Sequence, residues 1–390
     1  MLSENCVTNY HGSSEAKMNK LCRQVSIESP GPVMKDCVFS FEVPVPEVPP
    51  NGARIRVVCA GACYRMRNRS ASTSSVSSVS SVHSVEDVGY CPAHYGHKDG
   101  ALFPGYEVAG VVDALGDRAA GGEFGVGTRV VIYPYNGIPH GYAEFIVVPD
   151  LADLVAVPEG LPMGVAAMLP SGALLAKSTV IKAQERIVEL LKNRPVEHPV
   201  RILIVGTGGL ALWALRIAEH HFRTPECENR VKITVATLKD EGLKRAAEEL
   251  KFVNIVQWNE DLYESQLIER TKDACNGLVD IVIDFGITSR SLNRSLKCLN
   301  SGGVVLIRDE VASKLVPRFS ALAKEKHQEI EAVAPGSIEE LKELVDCVAK
   351  GEIKPPPYTE FSADEASTVM QKLGQSEING RAILRFHDTQ

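Results

Sequence analysis

A stretch in the second half of the chain, residues 200–218, constrains the fold more than any other. It starts with the apolar run VRILIV, turns through GTGGLA at 206–211, and continues as an apolar helical pattern. A buried strand that enters a helix through G-x-G-x-x-A is the fingerprint of a dinucleotide-binding unit, although a strand-turn-helix without a ligand is the alternative. Gly206 permits the tight turn, and Gly208 lets the backbone approach a pyrophosphate held at the helix start. The predicted cofactor contacts in this turn are Gly206, Thr207, Gly208, Gly209 and Leu210.

The residues around this fingerprint alternate between strands and helices. The strand patterns are RVKITVAT, NIVQW, VDIVIDFG and GGVVLI, and the helical patterns GLKRAAEELK and YESQLIERTKDAC lie between the earlier ones. This alternation over residues 200–335 predicts an α/β domain with a doubly wound parallel sheet, the Rossmann fold. From Arg23 to about residue 157, short strands separated by Pro and Gly predict a β-rich domain, and helical patterns follow at 162–192.

Composition and charge exclude several classes of protein. The formal charge of −7 provides no basic surface for nucleic acid. No apolar run reaches the length of about 18 residues that a membrane span needs. The N-terminus carries acidic residues and has no signal-peptide core, and the ten cysteines lack paired spacing. We therefore expect a cytoplasmic protein with reduced thiols and a small-molecule substrate, and no nucleic-acid or membrane partner.

Eight short segments, in their order along the chain, resemble the medium-chain dehydrogenase/reductase superfamily. Besides the fingerprint at 205–218 they are PGYEVAGVV (104–112), VGTRVV (126–131), GYAEFIVVP (141–149), VDIVIDFG (279–286), LKCLNSGGVVLI (296–307), GSIEELKELVDCVAKGEIKP (336–355) and NGRAILRF (379–386). The resemblance covers the zinc-type alcohol dehydrogenase-like and quinone oxidoreductase-like branches. It implies a cleft in which a nicotinamide meets the substrate, and a homodimer or homotetramer.

The resemblance also implies a domain plan. A GroES-like catalytic domain spans 21–175, a Rossmann domain spans 176–335, and a return segment at 336–390 completes the catalytic domain. Residues 1–20 are polar, which predicts a disordered N-terminus. The low-complexity Ser/Val repeat inside the catalytic domain predicts a flexible insertion at about 68–88.

The ligands of a catalytic zinc are largely replaced in this sequence. The zinc-type branch uses three ligands, usually Cys, His and Cys or an acid, and the corresponding residues here are Cys63, Tyr106 and Ser171. A phenol and a hydroxyl are poor zinc ligands, and the four-cysteine lobe of the structural zinc is missing from the sequence. The spacing of Cys91, His94 and His97 resembles a ligand set, but a solvated loop is the better interpretation. We therefore expect no zinc.

Without zinc, the resemblance implies a quinone oxidoreductase-like enzyme that transfers a hydride to a small carbonyl, enone or quinone. Tyr106 is the candidate catalytic proton donor, with a packed aromatic as the alternative. Glu107 is either a carboxylate in the cleft or a structural hydrogen-bond partner. Arg65 and Leu175 replace a hydroxyl residue and a threonine of the relatives. These losses leave a second class open, an inactive nucleotide-binding relative that acts as a sensor or interaction module.

The cofactor preference is predicted from the end of the second Rossmann strand. NAD-dependent enzymes place a carboxylate there for the ribose diol. This chain has Thr237 and Lys239, which suit the 2′-phosphate of NADP, while Asp240 and Glu241 keep NAD possible. By the resemblance, Arg381 corresponds to an arginine that reaches the pyrophosphate; an ordinary surface arginine is the alternative.

Overall fold

The computed structural model describes residues 20–27, 38–62, 106–119, 121–134, 141–206, 208–225, 227–237, 244, 253–258, 261–286, 288–374 and 377–388. Several sequence predictions lie outside these residues. They are the disordered N-terminus up to residue 19, the insertion at about 68–88 and most of the helix at 242–251. The individual residues outside the described ranges are Cys63, Arg65, Cys91, His94, His97, Thr207, Lys239, Asp240 and Glu241.

The N-terminal half is built from antiparallel strands. β1 (Leu21–Ile27) pairs with β2 (Val38–Pro44). A larger sheet contains β3 (Ala53–Ala62), β4 (Val108–Leu115), β5 (Arg129–Ile132), β6 (Phe145–Val148) and β7 (Leu154–Ala156). β3 is buried along most of its length and pairs with both β4 and β6, which makes it the centre of this sheet.

The helical region that follows is interrupted where the sequence pattern predicted continuity. α1 (Met163–Ala167) is followed by a π turn (Leu169–Ala173) and then by α2 (Leu174–Asn193). In the π turn the N–H of Leu174 donates to the carbonyl oxygen of Leu169, five residues earlier. Pro170 has no N–H to donate to the preceding turn, which favours a local break in the α-helical ladder. Such π turns are frequent at functional sites.

The predicted doubly wound parallel sheet is confirmed. Its strands are β8 (Val200–Val205), β9 (Val231–Thr237), β10 (Val253–Gln257), β11 (Val279–Asp284), β12 (Leu299–Arg308) and β13 (Glu329–Val333). Among the described residues the order is β10-β9-β8-β11-β12-β13, and every pairing is parallel. The helices are α3 (Gly209–Phe222), α4 (Glu264–Ala274), α5 (Ser289–Cys298) and α6 (Asp309–Glu325). The chain order reverses at β8, and ligands of such sheets bind beyond the carboxyl ends of the strands at this point.

The C-terminal segment returns to the first sheet. It contains α7 (Ile338–Ala349), β14 (Tyr358–Ser362), α8 (Ala366–Gly374) and β15 (Arg381–Arg385). β15 pairs antiparallel with β3 and parallel with β14, so the last strand lies beside the centre of the N-terminal sheet. The sequence predicted α7 and β15 but not β14 and α8. β14 is an edge strand with polar residues, and its sequence YTEFS carries little apolar pattern.

One apolar core extends across both sheets. It joins Val58 of β3, Leu174 of α2, Ile204 of β8 and Trp213 of α3, all fully buried. Because this core is continuous, elements of the two sheets share one packed interior. In the described part of the chain no helix combines the length and the apolar character needed to cross a bilayer.

Candidate nucleotide site and cleft

The turn between β8 and α3 is open at the position where a phosphate would lie. Gly208 has φ +84° and is the N-cap of α3, so no side chain covers the first N–H groups of the helix. No described atom lies within 4 Å of a Cβ built on Gly208. Gly206 instead packs closely, since a Cβ there would lie 2.9 Å from the Cβ of Phe285 just after β11. One glycine thus permits close packing, and the other leaves free space at the helix N-terminus.

A buried ion pair lies against this helix start. The guanidinium of Arg381, the first residue of β15, pairs with the carboxylate of Glu107, and both side chains are more than nine-tenths buried. The guanidinium also packs against the backbone of Gly209 so closely that any side chain at Gly209 would overlap it. Arg381 therefore brings a positive charge to the positive end of the α3 dipole, an arrangement that favours an anion nearby.

Arg381 retains hydrogen-bonding capacity. Its Nε is buried and has no hydrogen-bond partner among the residues that the structure describes. A buried donor without a partner is costly, so such an atom in a native site requires an explanation. A phosphate oxygen at the start of α3 is one group that could accept from it.

Glu107 connects three elements. Its Oε1 accepts a hydrogen bond from the N–H of Gly172 in the π turn at 3.1 Å, and its carbonyl oxygen accepts from the N–H of Gly61 in β3 at 2.8 Å. Burial raises the pKa of the Glu107 carboxyl, while Arg381 and the Gly172 N–H act in the opposite direction. Since both carboxylate oxygens have partners, Glu107 is a structural member of the site.

The two described residues at the zinc-ligand positions flank this hydrogen bond. Tyr106 directly precedes Glu107, and Ser171 directly precedes Gly172. Both side chains are partly buried, and Tyr106 takes part in at least one polar or ring contact. Neither residue offers the thiolate, imidazole or carboxylate that zinc prefers.

Thr237 lies on the neighbouring strand at the same edge of the sheet. It ends β9 and is buried, and its carbonyl oxygen accepts from the N–H of Trp258 at 2.7 Å. Gly206, Gly208, Gly209, Leu210, Arg381 and Thr237 thus surround the carboxyl ends of β8 and β9 and the start of α3. The predicted contribution of Lys239 remains a sequence prediction.

Polar groups at the ends of β11 and β12 were not predicted from the sequence. Asp284 is fully buried, and it accepts from the N–H of Gly286 at 2.8 Å and from the hydroxyl of Ser295 at 3.1 Å. Burial raises the pKa of Asp284 to about 6. At the end of β12, the buried guanidinium of Arg308 pairs with Glu310. The sequence signal that could have identified these groups is a charged residue at the end of an apolar strand, as in VDIVIDFG and GGVVLIRDE.

The chain was compared with known protein families, sequences and structures. Residues 261–384 match a family model described as zinc-binding dehydrogenase. No curated protein sequence matches the chain. The chain is similar to the solved quinone oxidoreductase from Coxiella burnetii, with 20% identity, a TM-score of 0.67, and coverage of 94% of this chain and 100% of that one.

Two further solved structures show the same likeness. One is described as an NAD-dependent alcohol dehydrogenase, with 19% identity, a TM-score of 0.66, and coverage of 94% of this chain and 100% of that one. The other is acetophenone reductase from Geotrichum candidum in complex with NAD, with 16% identity, a TM-score of 0.63, and coverage of 94% and 97%. Identities at this level establish a shared fold.

Proposed function

We propose that this chain, which has the fold of the medium-chain dehydrogenase/reductase superfamily, is an oxidoreductase that depends on a nicotinamide dinucleotide. It binds NADP in preference to NAD and acts without a catalytic zinc on a small carbonyl, enone or quinone. The observation that carries the proposal is the start of α3, where open space at Gly208 adjoins Gly209, against which the buried guanidinium of Arg381 packs.

The residues at this point fit a dinucleotide. Its pyrophosphate would accept hydrogen bonds from the first N–H groups of α3 and from Nε of Arg381. The nicotinamide, when bound, supplies or accepts the hydride. The protein itself orients the dinucleotide, excludes water and places a proton donor. Glu107 keeps Arg381 in position through the buried ion pair.

Tyr106 is the proposed proton donor. Its backbone is fixed beside Glu107, whose carboxylate and carbonyl oxygens are both engaged. A phenol in this position donates its proton to a carbonyl or enolate oxygen of the substrate. Glu107 is occupied by Arg381 and Gly172, which leaves Tyr106 as the proposed donor.

The proposal is tested by treating the protein with a metal chelator and then measuring NADPH oxidation in the presence of a panel of quinones, enones, aldehydes and ketones. We expect turnover, and we expect Tyr106→Phe to lower kcat by about 10²-fold or more while NADPH affinity stays unchanged. Tyr263→Phe, which alters an exposed tyrosine, is the control. Nucleotide binding without turnover on any substrate would indicate an inactive relative. A zinc-dependent dehydrogenase would give a different result. Its activity would be lost on chelator treatment, and zinc would restore the activity of the wild type but not that of Cys63→Ser.

The preference for NADP is tested separately. Only NADPH carries the 2′-phosphate, so Lys239→Ala is expected to weaken NADPH much more than NADH in calorimetric titrations. Lys232→Ala is the matched control, because Lys232 is an exposed lysine near the start of the same strand that ends at Thr237. Equal weakening of both nucleotides would contradict the NADP preference and leave the proposed nucleotide site standing.

A further inference from the structure

Three side chains with metal-binding chemistry meet at the far end of α3. His220 lies in the last turn of α3, Cys347 lies in the last turn of α7, and Glu352 follows α7. Their ligand atoms all lie within 4.8 Å of one another, with His220 and Glu352 exposed and Cys347 half-buried. We call these three residues the α3–α7 cluster.

The chain after α7 fixes two members of the cluster relative to each other. Gly351 has φ +75°, the left-handed conformation that reverses the chain at a helix end. The N–H of Glu352 then donates to the carbonyl oxygen of Cys347 at 3.0 Å, and the next residue, Ile353, is buried. Glu352 is therefore held beside Cys347 by the backbone.

The electrostatic surroundings of the cluster favour a cation. The C-terminal ends of α3 and α7 converge there, and each carries the negative end of a helix dipole. Of the nearby lysines, Lys177 is paired with Glu343 at 2.7 Å.

The thiol is already engaged with its neighbour. The thiol of Cys347 donates a hydrogen bond to the carboxylate of Glu352. A metal ion that binds here replaces the thiol proton, which passes to the solvent, and it bonds to the resulting thiolate.

We propose that the α3–α7 cluster is a binding site for Zn²⁺, with His220, Cys347 and Glu352 as its three protein ligands. Thiolate, imidazole and carboxylate together are a set that zinc accepts, with water in a fourth position. The S, N and O ligand atoms around a tetrahedral zinc lie about 3.3–3.6 Å apart, so small rotations of the exposed His220 and Glu352 complete the geometry.

This site is separate from the proposed nucleotide site. His220 lies about 16 Å along α3 from its first residue, Gly209, at a rise of about 1.5 Å per residue. A zinc ion there ties the end of α3 to the end of α7, and thus the parallel-sheet region to the return segment. The expectation of no zinc rested on the ligand positions of the relatives, whereas the cluster uses other residues, which are far apart in the sequence.

Titration of the metal-free full chain with Co²⁺ tests the proposal. We expect one equivalent to produce a thiolate-to-cobalt band in the near ultraviolet together with the intense visible bands of tetrahedral cobalt, and Zn²⁺ to abolish the visible bands by displacement. Cys347→Ser is expected to remove the thiolate band. His220→Gln and Glu352→Gln are expected to weaken zinc by at least about tenfold in competition titrations.

Two control variants distinguish this site from metal binding elsewhere on the chain. Cys63→Ser removes the thiol at the first zinc-ligand position of the relatives and is expected to keep the band. Glu339→Gln removes a charge from the first turn of α7 and is expected to leave zinc affinity unchanged. At the same zinc concentration, zinc is also expected to raise the melting temperature of the wild type more than that of Glu352→Gln, since a ligand of the folded state stabilises it in proportion to its affinity.

The proposal fails if no thiolate-to-cobalt band forms, if the band survives Cys347→Ser, or if Glu339→Gln weakens zinc as much as Glu352→Gln. If the half-buried Cys347 does not tolerate substitution, the variants at the exposed positions His220 and Glu352 still test the proposal.

Discussion

The ion pair between Arg381 and Glu107 is buried, and the stability that such a pair contributes depends on both members being present. The guanidinium and carboxylate leave water together, and removal of one partner leaves an uncompensated charge. The pair is also the contact by which β15 reaches the start of α3.

Glu107→Gln is expected to lower the free energy of unfolding by about 3 kcal/mol, because Arg381 is then buried without its counterion. NADPH is expected to raise the melting temperature of this variant more than that of the wild type, since the pyrophosphate supplies the missing anion. Thermal unfolding with and without NADPH measures both effects. An equal rise in the two proteins would show that Arg381 does not face the phosphates.

Gly208→Val is expected to abolish dinucleotide binding, because its side chain would occupy the free space at the helix start. Gly127→Val is the matched control. Gly127 has a similar φ of +91°, and no described atom lies within 4 Å of a Cβ built on it. Both variants therefore carry a similar backbone strain, but only one lies in the fingerprint. Normal NADPH binding by folded Gly208→Val would contradict the proposed site.

At the scale of elements, α4 and α5 are joined by a network around Glu264. Its carboxylate accepts from Arg290 at 2.5 Å and from Arg294 at 2.5 and 3.0 Å, and the buried guanidinium of Arg294 lies 4.3 Å from the centre of the Trp258 ring. Hydrogen bonds from Arg294 and Arg290 lower the pKa of Glu264 to about 2.

Glu264→Gln is expected to lower the melting temperature at neutral pH. Because the folded-state pKa of Glu264 lies below its unfolded value of about 4.3, its stabilising effect is complete above that value and declines as pH falls toward 2. The difference in melting temperature between Glu264→Gln and the wild type should therefore be constant from pH 6 to 8 and become smaller below about pH 4. Glu269 lies on the exposed face of the same helix, and Glu269→Gln should have the same melting temperature as the wild type.

The strands of the parallel sheet could be predicted because each is a continuous apolar run, as VRILIV and VDIVID show. The π turn could not, because Pro170 indicates a break in the helix but does not specify that the break takes the form of a π turn. The pairing of Glu107 with Arg381 was also beyond prediction, since the two residues are 274 positions apart and meet only through the strand order. The sequence singled out both residues; the structure joined them.

At the scale of the whole molecule, the predicted resemblance to medium-chain dehydrogenases/reductases is confirmed for the fold. The Ser/Val-rich insertion falls between β3 and β4, which pair antiparallel with Ala60 opposite Val108. The chain therefore leaves and re-enters the sheet at neighbouring points, a geometry in which loop length has little effect on stability.

Deletion of residues 68–88 is expected to leave the melting temperature nearly unchanged, because the two strand ends that the segment connects already lie side by side. Thermal unfolding of the deletion variant and the full chain, followed by circular dichroism, measures the effect. A large drop would mean that the segment packs against the rest of the protein.

The pairing of β15 with β3 has a consequence for the order in which the protein forms during translation. Residues 200–333 contain all the strands of the described parallel sheet, so this sheet can close while later residues are still being synthesised. The first sheet has its central strand at residues 53–62, yet one neighbour of that strand is at 381–385. The Cys59–Ala62 part of β3, which lies beyond the residues paired with β6, therefore lacks its β15 partner until residues 381–385 have been synthesised, and the nascent protein is exposed to non-native strand pairing until then.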